Sequence, residues 1–237
     1  MHKFFKILSF ILLAIFLLIV PKLGTFIANL FDYSLIDPDN AFMWISIHHI
    51  VQALVILIVI IIINKVFKID FNLGFGNKKI GVAYLKRFML YFSIYTVVAF
   101  VITFLLGNLQ SFQYPLNPRN IGGYMGFQLF LSGPSEELIF RAFAITMFAI
   151  LITNRRVDKR LTYANLFAAI IFGIAHIQIS FNPFSISYVL PQVFLAIGLG
   201  YFYGDCYEKS KSVIYPMLMH SFSNVLMMGI TIILSFI

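Results

Sequence analysis

SGPSEELIFRAF, residues 132–143, sets Glu136, Glu137 and Arg141 inside a long apolar run. The whole chain has only three glutamates, and two of them stand side by side here. If the run crosses a membrane, each charge costs about 2.5–3.5 kcal/mol on insertion scales, and something must offset that cost. Composition shows which solvent surrounds the run. Of 237 residues, 61% are hydrophobic, 11% are charged and 28 are phenylalanine. A soluble domain carries about 25% charged residues, so this chain lacks the polar side chains to cover a water-facing surface. It reads as an all-α, polytopic membrane protein with one membrane domain over 1–237. Its single cysteine, Cys206, excludes an internal disulfide.

Working outward from residues 132–143, a transmembrane helix needs about 20 predominantly apolar residues. Seven segments qualify: Phe4 to Phe31, Phe42 to Ile63, Phe88 to Leu106, Gly122 to Ile152, Leu161 to Ile179, Ile186 to Gly204 and Val213 to Ile237. The first, MHKFFKILSFILLAIFLLIV, begins like a signal peptide but lacks a small-x-small cleavage site, so it reads as an uncleaved span. Of the 17 basic residues, 14 fall at the N-terminus or in the stretches 64–87, 153–160 and 205–212, all on alternate connections and so on one side. The opposite connections hold Lys22 and Arg119 with Asp32, Asp37 and Asp39. Basic residues gather on the cytoplasmic side. The N-terminus is therefore expected in the cytoplasm and the C-terminus outside. The net charge of +8 is thus a topology signal, and it points away from nucleic acid. Stretch 64–87 mixes bases with Phe, Ile and Leu, as either an interfacial segment or an ordinary basic loop would.

The polar residues inside spans carry the chemistry. Glu137 and Arg141 are four apart and share a helix face. At 4 Å and an effective dielectric of 20 their attraction is about 4 kcal/mol, enough to offset much of the cost of both. Glu136 is turned about 100° away, with no cation of its own helix left for it. Phe172 and His176 are four apart on the fifth span, and His220 and Asn224 on the seventh. Such groups can simply join helices by hydrogen bonds. A glutamate, two histidines and an asparagine from three spans also suit a reaction. A carboxylate can activate water, a histidine can hold it, and further donors can stabilise an oxyanion. Glutamate with two histidines would also suit zinc, although no His-Glu-x-x-His is present. His48 and His49 read as interhelical or interfacial groups. Trp44 fits an aromatic belt, and Asp205, Cys206 and Glu208 fit a solvated cytoplasmic edge.

Three short patterns then line up. EELIFR (136–141) fits Glu-Glu-x-x-x-Arg, FGIAH (172–176) fits Phe-x-x-x-His, and HSFSN (220–224) fits His-x-x-x-Asn. In this order, and in spans, they resemble the CPBP family of intramembrane endopeptidases, also called the Abi or CAAX-protease family. Its members include the eukaryotic CAAX prenyl endopeptidase and bacterial proteins linked to bacteriocin maturation, immunity and peptide signalling. The resemblance covers about 120–237, while the three spans over 1–119 match no motif. It implies that Glu136 activates water, that His176 holds it, and that His220 and Asn224 form an oxyanion site. Glu137 and Arg141 would support the site as an ion pair, beside Phe172. The family's mechanism is viewed as glutamate-type without a catalytic metal or other cofactor. The substrate would be a peptide or protein segment that reaches the lipid bilayer. In the family a glycine often follows the motif arginine; here it is Ala142.

This reading sets geometric expectations. His176 and His220 must meet near mid-depth, which needs a short fifth span and a dip of QISFNPFS (178–185) into a protein-lined cavity. Gly133-Pro134 suggests a kink or break, which would aim a positive helix end at Glu136. Gly133, Ala142, Ala168, Ala169, Gly173 and Ala175 are small enough to let helices approach. One hydrated pocket should be lined by Glu136, His176, His220 and Asn224, with Glu137 and Arg141 turned aside. The competing readings are a catalytically silent scaffold of the same fold, a zinc-dependent peptidase, and a proton-coupled transporter. The last is disfavoured by the small size and the lack of a repeat.

Overall fold

Seven helices run through the residues that the computed structural model describes, 3–159, 161–181 and 184–236. Expectations for Arg160, for Asn182 and Pro183 of QISFNPFS, and for Ile237 lie outside the described residues. The helices are α1 (Lys3–Ala28), α2 (Met43–Phe67), α3 (Lys78–Leu105), α4 (over 118–151), α5 (Tyr163–Ile174), α6 (Leu190–Ser210) and α7 (Ile214–Leu234). Four of them, α1, α2, α3 and α7, are long and apolar enough to cross a bilayer. The chain is an integral, polytopic membrane protein.

Within the bundle, burial follows helical spacing. On α2 the buried residues are Ser46, His49, Gln52, Ile56 and Ile60, one face by their steps of three and four. On α1 they are Leu13, Leu17, Val20, Gly24 and Ala28. A Cβ on Gly24 would sit 2.5 Å from the His48 carbonyl oxygen, so only glycine lets these two helices come this close. The opposite faces carry Leu, Ile, Val and Phe outward, as a helix facing hydrocarbon must. The turn before α2 is fixed by Asp37, 2% exposed, whose carboxylate accepts from the amides of Ala41, Phe42 and Met43 at 2.7–2.8 Å. Asp39 accepts from Asn120 Nδ2 at 2.9 Å and so ties that turn to the start of α4.

Four features depart from expectation. First, Gly133-Pro134 does not break α4. Two π-helical stretches, Gln128–Ser132 and Leu138–Phe143, flank the short α-helical piece Gly133–Glu137. The wider turn absorbs the amide that Pro134 lacks, and Ser135 Oγ donates to the Ser132 carbonyl at 3.0 Å. No open helix end therefore points at Glu136.

Second, α5 is only 12 residues, about 18 Å, against a hydrocarbon core of ~30 Å. The chain continues past it as an antiparallel hairpin of β1 (Gln178–Phe181) and β2 (Phe184–Ser187). QISFNPFS is thus mostly ordered strand rather than irregular backbone, and α6 starts at Leu190 instead of Ile186.

Third, residues 68–77 form neither an interfacial helix nor a free loop. Where an interfacial segment or an ordinary basic loop is expected, they are a strap tucked under the bundle. Phe71, 1% exposed, stacks on Phe143 with ring centroids 6.0 Å apart. The Asn72 carbonyl accepts from Val213 N at 3.0 Å, and the Ser210 carbonyl accepts from Asn77 N at 2.6 Å. Gly76 has φ +49°, and a Cβ there would collide with the backbone of Ser210 and Lys211. Basic side chains dominated the reading of this stretch, but Phe71 finds a slot in the core and its neighbours pair with the α6–α7 turn.

Fourth, the edge formed by residues 205–208 is packed rather than solvated. Cys206 is buried, Asp205 pairs with Lys209 at 2.9 Å, and Glu208 accepts from the Thr162 hydroxyl at 2.7 Å. Helix α6 continues to Ser210 and packs along α5, which brings all three into contact with neighbours.

Candidate active site

Adjacent residues on a helix point about 100° apart, and in α4 this separates two carboxylates. The Glu137 side chain is 0% exposed and that of Glu136 is 21% exposed. Glu137 faces Arg141 across one turn, with Nε to Oε2 at 2.9 Å and Nη2 to Oε1 at 3.3 Å. The Arg141 guanidinium, also fully buried, lies 4.7 Å from the Phe172 ring centroid and 5.8 Å from that of Tyr203. An ion pair cut off from water is costly unless its remaining groups are satisfied, and here the two aromatic faces cover the cation.

The pair is also joined to the histidine of α7. Glu137 Oε1 lies 2.9 Å from His220 Nδ1. A carboxylate only accepts, so Nδ1 carries the proton and Nε2 is set toward Glu136, at 3.8 Å from Oε2. The His220 ring is stacked on Tyr203 (centroids 5.3 Å, planes 25° apart) and meets the edge of Phe172 at 5.8 Å. Close approach of α7 to α4 depends on Gly133. A Cβ there would lie 2.8 Å from the Ser221 amide nitrogen and 3.1 Å from His220 Cβ. One turn further along α7, Asn224 Nδ2 donates to Ser132 Oγ at 3.0 Å.

On its other side Glu136 meets α2. His49 Nε2 is 3.9 Å from Glu136 Oε1. His49 Nδ1 sits 2.7 Å from Ser135 Oγ and 2.9 Å from Gln52 Nε2. With Nδ1 engaged by these two side chains, Nε2 is the ring nitrogen that faces Glu136. Sequence reading had set His49 aside as an interhelical group. It is one, but it also borders the carboxylate. The signal available was its three-residue spacing to Gln52 on the face of α2 that also carries Ser46. His48, by contrast, contacts Thr25 Oγ1 at 3.2 Å and stacks on Trp44.

A cavity of about 700 Å³ opens beside Glu136. Helices α1 and α2 contribute Lys22, Thr25, Trp44, His48 and Gln52 to its wall, and α4 contributes Glu136 and Phe140. The far wall is Phe172, His176 and the hairpin residues Gln178, Ile179, Ser185 and Ser187. Ala175 also lies in this wall, exposed, rather than between packed helices. Ala142, Ala168, Ala169 and Gly173 are buried as small contact residues. His176 Nδ1 is 2.8 Å from the Phe172 carbonyl, which fixes the proton there and leaves Nε2 to accept. The Phe172 ring lies 4.8 Å from His176 and 5.8 Å from His220, so one aromatic ring separates the two imidazoles. His220 and Asn224 are not among the described residues of the cavity wall, and His220 stands behind Glu136. The described residues therefore give one neighbourhood with two tiers. Glu136 and His176 front the cavity, and Glu137, Arg141, His220 and Asn224 form the layer that holds them.

Among the described residues, no three His, Cys, Asp or Glu side chains come together in a way that could hold a metal ion. The imidazole nitrogens nearest Glu136 stand at 3.8 and 3.9 Å.

In comparison with known proteins, residues 118–226 match the family model described as "Type II CAAX prenyl endopeptidase Rce1-like". The matched segment holds α4 to most of α7, and with them every motif residue from Glu136 to Asn224; α1 to α3, and so His49, lie outside it. No curated protein and no solved structure matches the chain.

Proposed function

We propose that this chain hydrolyses a peptide bond in a membrane-associated peptide or protein, a reading supported by the match of residues 118–226 to the type II CAAX prenyl endopeptidase Rce1-like model. The observation that carries this reading is the placement of Glu136. It is a partly exposed carboxylate on a cavity wall, with imidazoles at 3.8 and 3.9 Å and His176 on the same wall.

In this mechanism Glu136 takes a proton from water while the resulting hydroxide adds to the scissile carbonyl carbon. His176, with Nδ1 tied to the Phe172 carbonyl, accepts from that water through Nε2 and holds it. The tetrahedral intermediate collapses with cleavage of the C–N bond, and protonated Glu136 returns its proton to the leaving amine. His220 and Asn224 form the oxyanion side, with His220 as the imidazolium: its Nδ1–H is held by Glu137 and its Nε2–H is the donor. His220 is oriented by Glu137, and Asn224 must exchange its bond to Ser132 for one to substrate. His49, whose Nε2 faces Glu136 Oε1, joins them as a further donor. Arg141 and Glu137 act through His220 and are positioning residues.

The same reading places six helices and α5 together with its hairpin across the membrane, the N-terminus in the cytoplasm and the C-terminus outside. The cavity then lies toward the outer face, because Lys22 near the end of α1 and Trp44 near the start of α2 border it, while the strap 68–77 closes the cytoplasmic end.

Glu136→Gln keeps shape and removes the base. It is expected to lower cleavage of a membrane substrate by about 10²–10⁴-fold with unchanged expression and insertion. A membrane peptidome compared between native chain and variant would show the accumulated substrate. Full activity in Glu136→Gln would leave the silent-scaffold reading or another base.

A further inference from the structure

A hairpin of two strands leaves one edge of each strand unpaired. At bilayer depth such an edge is tolerated only where it is buried in protein or wet. Helix α5 ends after about 18 Å, so β1 and β2 continue the crossing of the outer half of the membrane. Their register pairs Gln178 with Ser187 and Ile179 with Ile186. Directly paired residues share a face of an antiparallel sheet, and faces alternate along each strand. The hairpin therefore has one polar face and one apolar face. On the apolar face Ile186 and Phe184 are 52% and 69% exposed, as lipid-facing groups are. On the polar face Ser185 and Ser187 front the cavity.

The two strands meet the cavity differently. β2 contributes only the alternate residues Ser185 and Ser187, which is one face. β1 contributes the consecutive residues Gln178 and Ile179, following directly on Ala175, His176 and Ile177. Consecutive residues of a strand cannot both point into a cavity across one face. Their joint presence is what a cavity running along the outer edge of β1 gives, the edge that has no strand partner in this two-stranded sheet. His176 stands two residues before that edge, and Glu136 fronts the same cavity.

We propose that the open edge of β1 docks the substrate: an extended peptide segment, entering from the outer membrane face, pairs with 178–181 as a third strand. Main-chain pairing supplies affinity without sequence preference, and the alternating side chains of the added segment meet the cavity on one face and lipid on the other. A strand added at ~4.8 Å from β1 carries its backbone past His176, which brings a carbonyl to the water held by His176 and Glu136. The closed cytoplasmic end, with Phe71 in the core, leaves this side for entry. The proposal rests on the peptidase reading of the same cavity and adds the shape and side of the substrate.

The test uses the full chain carrying Glu136→Gln in oriented vesicles, so that binding is read apart from cleavage. The probe is an octapeptide of alternating valine and serine with a central benzophenone side chain, added on the side of the C-terminus. Its twin carries N-methyl groups on alternate amides, which removes edge pairing and keeps the side chains. Photo-adducts are expected within 175–179, with labelling lowered about tenfold by N-methylation, and no labelling when the probe is added from the other side. Equal labelling by the twin, or adducts confined to the strap or to the outward faces of the helices, would overturn the proposal. Cleavage by the native chain is measured separately. Hairpin labelling without any cleavage keeps the docking edge and removes the peptidase reading; cleavage with labelling elsewhere does the reverse.

Discussion

At the residue scale, two adjacent glutamates have different surroundings because one step along a helix turns the side chain by about 100°. Glu137 is sealed with Arg141 and tied to His220; Glu136 faces the cavity. The buried pair is the part most sensitive to truncation. Arg141→Ala leaves a carboxylate with no cation in a fully buried position and removes the guanidinium from the Phe172 and Tyr203 rings. Breaking a buried pair in this way costs about 3–5 kcal/mol, so the variant is expected to accumulate poorly and to lose activity along with abundance. Arg141→Lys is expected to rescue abundance only in part, since an ammonium cannot reproduce the two-point contact or the stacking of the planar fork. Monodisperse yield after detergent extraction would show this, and a well-expressed Arg141→Ala protein would mean that Glu137 finds another partner. His49→Ala separates a positioning role from a structural one. If His49 serves the reaction, the variant loses turnover while its yield stays near that of the native chain, because Gln52 still reaches Ser135 at 2.9 Å.

At the element scale, the site depends on how α4 is wound and on how closely α7 lies against it. The π-helical stretches absorb Pro134 without breaking the helix, and Gly133 opens the space into which α7 sets His220. In a bilayer the solvent is as apolar as the side chains, so helices are held by close packing and polar contacts rather than by escape from water. Gly133→Ala should therefore act on geometry. Its Cβ would lie 2.8 Å from a backbone nitrogen of α7, and relief of such overpacking typically costs about 1–3 kcal/mol. The expected result is a folded protein with a lower melting temperature and sharply reduced cleavage, since His220 moves with α7. Thermal melting in detergent alongside a cleavage assay would separate this from simple unfolding, and native activity in Gly133→Ala would mean that α7 can shift without cost to the site.

At the scale of the whole molecule, the bundle is closed at the strap end and open at the hairpin end, with the carboxylate between. A metal-free reaction is part of the proposal, and the donor geometry around Glu136 gives it a direct check. Activity of the detergent-purified chain is expected to survive chelation, with no stoichiometric zinc by elemental analysis; reversible loss restored by zinc would return the metal reading to first place. Much of this molecule was legible in the residues alone. The membrane class followed from 61% hydrophobic residues, the helix count from seven apolar runs, and the Glu137–Arg141 contact from a four-residue spacing. These are properties of composition and of a single helix, where geometry is fixed by local hydrogen bonds. Other features were decided only when helices packed. The placing of His49 beside Glu136, the bond from Glu137 to His220, the burial of Phe71 and the loss of solvent from Cys206 each join residues far apart in the chain. Spacing along one helix cannot state which neighbour will fill a face. A glycine that admits a partner at 2.8 Å, or a slot that accepts one phenylalanine from a basic stretch, exists only once both surfaces have met.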